Sequence, residues 1–168
     1  MNIFVLDTDP VQAARSQCDA HVVKMVLETA QILSSVHHLQ SGGLHPWDVY
    51  KLTHRNHPCS VWARQHTGNY DWLVRHGLAL AAEYTHRYGK RHKSQDVVEL
   101  CGQYRPETLP VGVSPFAQAM PAAYQRADAV AAYRAYYSSK REQFAMRWTR
   151  RPVPAWWNSF VEDCSSAE

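Results

Sequence analysis

If residues from about 10 to 39 are helical, 100° per residue places His21, Lys24, Glu28 and Gln31 within about 80° of one another. An imidazole, an ammonium and a carboxylate then stand in line along a helix that is otherwise apolar. Met25, Ile32, Val36, Val22, Leu33 and Val26 fill one arc, and Val23, Ala30 and Leu27 extend the apolar surface around most of the rest. Such a helix belongs in the middle of a fold. A carboxylate there must either pair with Lys24, an i,i+4 contact stabilising by about 0.3–0.5 kcal/mol, or face a wet cleft where its protonation can be used. Both readings remain open at this level.

The elements that must hold this stripe are legible from caps and breakers. Asp9-Pro10 reads as an N-cap with proline at the first helical position, with Gln12 completing a capping box, after a short apolar lead-in from Asn2 to Leu6. The first helix is expected to run to about Leu39 and to end at Gly42-Gly43. His45-Pro46 reopens the chain, a shorter helix is expected around Trp47 to Arg55, and Asn56-His57-Pro58 stops it. A short helix over Pro58 to Gln65 follows, then a long one capped by Asn69 and ended by Gly89, and a short one from Ser94 to Leu100 ended by Gly102. Pro106, Pro110, Pro115 and Pro121 make residues 103 to 121 a long ordered loop. Val130, Tyr133, Tyr137, Phe144 and Trp148 predict a helix from Pro121 or Asp128 to about Trp148, and Pro152 and Pro154 an extended tail bearing Trp156 and Trp157. No βαβ alternation is present. The expected fold is all-α, a compact single domain over residues 1–168 with a central N-terminal helix and a long Pro-rich loop.

Composition narrows the function class. The chain has 168 residues, 45% hydrophobic and 20% charged, which suits one ordinary core. Its 4 cysteines form no CxxC or CxxH pair, so no structural zinc is expected, and no apolar stretch approaches the roughly 18 residues a membrane span needs. A reduced, cytoplasmic setting is expected. Net charge is only +3, but it is uneven. Between His54 and Lys93 lie Arg55, Arg64, Arg75, Arg87, Lys90, Arg91 and Lys93 against Asp71 and Glu83; a second cluster, Lys140, Arg141, Arg147, Arg150 and Arg151, leads into Trp156 and Trp157. Cations interleaved with flat rings suit a polyanion with bases, and a solvated helical surface is the plainer reading. Trp62, Trp72 and Tyr70 lie at helical spacings within apolar patterns and are expected in the core.

Asp19-Ala20-His21, with Glu28 seven residues beyond the histidine, resembles the pyrimidine-dimer DNA glycosylase family of the phage endonuclease V type. Tyr70-Asp71-Trp72-Leu73 through Glu83-Tyr84 to Arg87-Tyr88-Gly89 is similar to that family's middle helix, and Arg151-Pro152 with Trp156-Trp157 to its Arg-Pro and aromatic pair near the DNA. Thr53-His54-Arg55-Asn56-His57-Pro58 and Trp148-Thr149-Arg150-Arg151-Pro152 also look like an uncharacterised set of phage proteins. The first resemblance implies a DNA glycosylase and AP lyase whose nucleophile is the α-amine of the first residue, here Met1, with the matching Glu28 assisting at the sugar. Free α-amines titrate near 7.7 to 8.0, so a useful fraction is neutral and able to attack C1′ of deoxyribose. Bulky Asn2 is expected to leave Met1 in place. Where that family carries arginines beside its glutamate and near its N-terminus, this chain has Leu27, Gln31 and Asn2.

The expected catalytic set is therefore Met1, Glu28, His21 and Lys24. The expected DNA-binding set is Arg64, Arg87, Lys90, Lys93, Arg150, Arg151, Trp156 and Trp157, with the phosphate backbone and an extruded base as partners. No cofactor, membrane or obligate protein partner is inferred. Glu83-x-x-His86 and His54-x-x-His57 have ligand spacing, but no second Glu-x-x-His accompanies them, so no metal is expected. The alternatives are a nucleotide-processing enzyme of phage origin and a non-catalytic nucleic-acid-binding protein.

Overall fold

A computed structural model describes residues 1–41 and 48–162, all of whose regular elements are helical. The helices are α1 (Pro10–Arg15), α2 (Asp19–Gln40), α3 (Pro58–Ala63), α4 (Thr67–Tyr88), α5 (Gln95–Gln103), α6 (Ala129–Ser139) and α7 (Ala155–Glu162), with single 3-10 turns at Ala122–Tyr124 and Lys140–Glu142. Helix α2 is central: it packs on α3, α4 and α5, and α4 packs in turn on α1. Val22, Met25, Val26, Ala30, Ile32, Leu33 and Val36 are all buried, as the apolar arc requires. Where α2, α4 and α5 meet, Gly77 lets the backbones close, since a Cβ there would lie 2.7 Å from the Thr29 methyl and 2.9 Å from Val98 Cγ1.

The first helix is not continuous. Asp9 caps α1, its Oδ1 accepting from Val11 and Gln12 amides, but the reciprocal half of the capping box is absent because the Asp9 amide donates to Asp7 Oδ1 instead of to Gln12. The chain then breaks at Ser16–Cys18. The carbonyls that would continue the helix accept from side chains: Arg15 and Gln17 oxygens from Arg87, and the Ser16 oxygen from Trp148 Nε1. Cys18 is extended, its amide donating to the Tyr137 hydroxyl.

Other boundaries also move. Residues 48–54 form no helix; they run beside α2, where the Ser34 hydroxyl accepts from the Tyr50 amide and the Ser35 hydroxyl both accepts from and donates to the Thr53 backbone. The expected glycine stop at 42–43, His45-Pro46 and Trp47 lie outside the described residues. Helix α4 begins at Thr67 rather than at Asn69, which is buried and donates to the Trp62 carbonyl and the Ser114 hydroxyl. Its end is the expected one, with Gly89 left-handed at φ 70°. Helix α5 continues past Gly102 to Gln103. Asp128 caps α6, but that helix stops at Ser139, and Phe144 and Trp148 lie beyond it in irregular chain. The tryptophan pair opens α7 rather than riding on an extended tail. The 104–121 loop is ordered as expected, tied to α4 by the Ser114–Asn69 bonds and to Asn2 through the Ala119 carbonyl.

Candidate active site and basic surface

The apolar lead-in brings the start of the chain to α2. Ile3, Val5 and Leu6 are fully buried and Phe4 nearly so, which pins the backbone. Asn2 ties the knot: its Oδ1 accepts from Ile3 and Phe4 amides, its Nδ2 donates to the Ala119 carbonyl, and its own amide donates to Glu28 Oε2 at 3.0 Å. The Met1 amine lies 3.9 Å from the same oxygen. Its side chain is only 2% exposed while the residue as a whole is half-buried, so the accessible part of Met1 is its main chain.

Glu28 itself is 8% exposed. Its other oxygen, Oε1, pairs with Lys24 Nζ at 3.0 Å, and the lysine side chain is 62% exposed. The i,i+4 pair anticipated from spacing therefore exists, but on a buried carboxylate that also serves the N-terminus. Low exposure strengthens these contacts relative to a surface pair. His21 is close by but plays another part. Its ring stacks on Phe4 at 4.7 Å and meets Phe144 edge-on, and its Nδ1 lies 2.6 Å from the Tyr137 hydroxyl. That hydroxyl also accepts from the Cys18 amide. Burial, with the charges of Lys140 and Lys24, pushes His21 down to about 4. It is neutral at ordinary pH.

One neighbour of the amine was grouped, from spacing, only with a metal reading. His57 caps α3, its Nδ1 accepting from the Cys59 amide at 3.2 Å, and burial with the Met1 amine and His54 charges lowers its pKa, against Glu28 and a backbone hydrogen bond with Met1. The signal was present in Asn56-His57-Pro58, where a residue before an N1 proline is a cap position. Among the described residues, no three His, Cys, Asp or Glu side chains come together as a metal would need.

Asp19, the first member of the Asp-x-His pair, holds the molecule together. Burial alone would raise its pKa, but bonds from the Thr149 hydroxyl and amide and from Arg87 outweigh that and lower it. Arg87 is turned fully inward, bonded to Asp19, Glu83 and the Arg15 and Gln17 carbonyls, so it is a buried strut and not a phosphate contact. Arg151 donates to both Glu83 oxygens, its side chain 27% exposed. For Glu83, burial raises the pKa and the two arginines more than reverse it. Arg150, exposed and left-handed at φ 58°, exchanges bonds with the His86 end of α4. Lys90 and Lys93 are exposed, and Arg64 is half-buried, donating to the Arg55 carbonyl. Trp156 and Trp157 are half-buried against α6, with Arg134 over the first ring and Arg141 over the second. The structure thus gathers Met1, Lys24 and Glu28, and sets the basic residues along the 86–93 and 147–151 segments. A separate cleft of about 370 Å³, lined by Val11, Arg15, Arg75, Leu78, Glu83 and Arg151 among others, contains none of the three.

A family model described as pyrimidine dimer DNA glycosylase matches residues 1–96, which carry the N-terminus, Glu28, His57 and the whole of α4. The chain belongs to that family. The match makes it a DNA glycosylase at the family level, acting on DNA. No curated protein and no solved structure matches it. No described helix is long and apolar enough to cross a membrane. The matched segment ends before the long loop, α6 and α7, so the packing of the tryptophan pair rests on this structure alone.

Proposed function

We propose that this glycosylase works through the Met1 amine, with Glu28 as the carboxylate that handles charge and protons at the sugar. The observation that carries the reading is the meeting of the Met1 α-amine with a buried carboxylate at 3.9 Å. A neutral amine attacks C1′ as the bond from C1′ to the base breaks, and the base leaves with that electron pair. The attached nitrogen then loses a proton and pushes open the sugar ring, giving a protonated Schiff base while the ring oxygen takes up a proton. The iminium acidifies the C2′ proton. Glu28 removes it, and the electron pair expels the 3′ phosphate in a β-elimination. Before that step the ionised carboxylate stabilises the cationic sugar.

Lys24 balances Glu28 and, being exposed, stands where a backbone phosphate is held. His21, neutral and walled by aromatic rings, keeps the helix and Phe4 in register rather than exchanging protons. Lys90, Lys93, Arg150 and, in part, Arg151 are the proposed backbone contacts, with the half-buried Trp156 and Trp157 beside an extruded base. Borohydride trapping on abasic and damaged DNA tests the mechanism. A covalent complex is expected, and acetylation of the Met1 amine or an N-terminal extension should abolish it with the fold intact; full trapping with a blocked amine would rule the mechanism out.

A further inference from the structure

Helices α1 and α4 pack on each other, and both line the cleft of about 370 Å³. Its floor is apolar, made by Val11 on α1 and by Leu78 and Ala82 on α4. Its rim is cationic. Arg15 stands one turn beyond Val11 on the same face of α1, Arg75 a turn before Leu78 on α4, and Arg151 joins them from the segment that precedes α7. The carboxylate in the lining, Glu83, is already answered: its side chain is 4% exposed, and Arg87 and Arg151 take both of its oxygens. Arg15 Nε comes only to 3.9 Å from it, beyond hydrogen-bond reach, and the Arg15 side chain is 47% exposed. Arg75 is exposed and makes no ion pair or side-chain hydrogen bond with any described residue. Two guanidinium groups therefore border an apolar floor with their donors unused.

The cleft is also in line with the basic surface. At 100° per residue Arg75, Ala82 and His86 fall within about 40° of one another on α4. The His86 end of that row is where Arg150 is bonded, and Lys90 follows just past Gly89. From 75 to 86 the helix rises about 16 Å, or four to five phosphate steps of one strand at about 3.4 Å each along a duplex axis. The geometry points to this cleft as a further DNA contact, in which Arg15 and Arg75 grip a phosphate of the strand held at Arg150 and Lys90. A guanidinium fork matches the two free oxygens of a phosphodiester, and the apolar floor suits the carbon face of the adjoining sugar. Beyond the arginines and the fully bonded Glu83, the lining has no polar side chain to read a base. The contact positions the backbone and carries no sequence preference.

This inference extends the DNA surface proposed above and needs neither the Met1 amine nor Glu28. Its test is equilibrium binding across a salt series to a duplex carrying a tetrahydrofuran abasic analogue, for the parent, Arg75→Ala, Ala82→Leu and Lys90→Ala. Arg75→Ala should flatten the dependence of log affinity on log salt by about one unit, with the thermal midpoint within a few degrees because Arg75 bonds to nothing in the fold. Ala82→Leu changes no charge but fills the floor from an exposed position, and should weaken binding several-fold. A slope in Arg75→Ala equal to the parent's, or parental affinity in a folded Ala82→Leu, would overturn the assignment. Should Ala82→Leu not fold, Arg75→Ala decides alone. Flattening in Arg75→Ala with none in Lys90→Ala would keep the cleft and remove the Lys90 contact, whereas the reverse would keep the basic surface and remove the cleft.

Discussion

At the residue scale, Glu28 has two oxygens in two different settings, one paired with an exposed lysine and the other accepting from the Asn2 amide beside the amine. Glu28→Gln keeps an oxygen for the Asn2 amide and leaves Lys24 in solvent, so little stability is expected to be lost. The ionised group needed at a cationic sugar disappears, however, and trapping and strand cleavage should fall by about 100-fold or more with the thermal midpoint nearly unchanged. Comparable turnover in parent and variant would reduce Glu28 to a structural ion pair. The Lys24–Glu28 contact was legible in the sequence because it is local, set by helix geometry four residues apart. That Glu28 is buried was not, because the covering segment lies 26 residues away. Arg87 is the sharper case: nothing in a run of cations distinguishes a phosphate contact from a strut, and its deciding partners are 68 to 72 residues distant.

At the scale of elements, every expected helix outside residues 48–54 is present, and the errors concern where helices start and stop and the unforeseen helix α7. Caps read from a proline or a positive-φ glycine, as at Asp9 and Gly89, were reliable because they act on their own backbone. Breaks imposed from outside were not. Helices α1 and α2 separate because Arg87 and Trp148 take the carbonyls at 15–17, and α6 stops at Ser139 with no proline or glycine to announce it. Arg87→Ala should therefore act as a fold lesion, leaving buried carboxylate and carbonyl oxygens without donors and costing about 3–5 kcal/mol in a denaturant titration. Gly77→Ala probes the α2–α4–α5 junction, where the added methyl meets Thr29 and Val98; a loss of about 1–3 kcal/mol is expected, and a neutral or stabilising outcome would show that the junction has room.

For the whole molecule, two fields follow from where the charges settle. The exposed Lys90, Lys93 and Arg150 are the proposed phosphate contacts, so Lys90→Ala should flatten the salt dependence of DNA binding by about one unit of slope, whereas a refolded Arg87→Met should leave the slope unaltered. The second field concerns protons. His76 is fully buried in α4, donating from Nδ1 to the Pro10 carbonyl and accepting at Nε2 from Gln17, and burial pushes it down to about 4; His21 is held equally low. Both are neutral in the folded protein, while an unfolded chain protonates them below about 6.5. Between those values the unfolded state binds more protons, so stability is full above pH 6.5 and declines as pH falls toward 4, by about 3 kcal/mol for each histidine. Asp19 and Glu83, both lowered, add their own loss as pH falls through their ordinary values of 3.8 and 4.5, at the acid end of this range and beyond. His76→Asn can retain a donor toward Pro10 without a titrating ring, so its unfolding free energy between pH 6.5 and 4 should fall less steeply than the parent's, even from a lower starting stability. An unchanged slope in urea titrations across that range would mean that His76 is not protonated on unfolding, and that the acid sensitivity of the fold lies elsewhere.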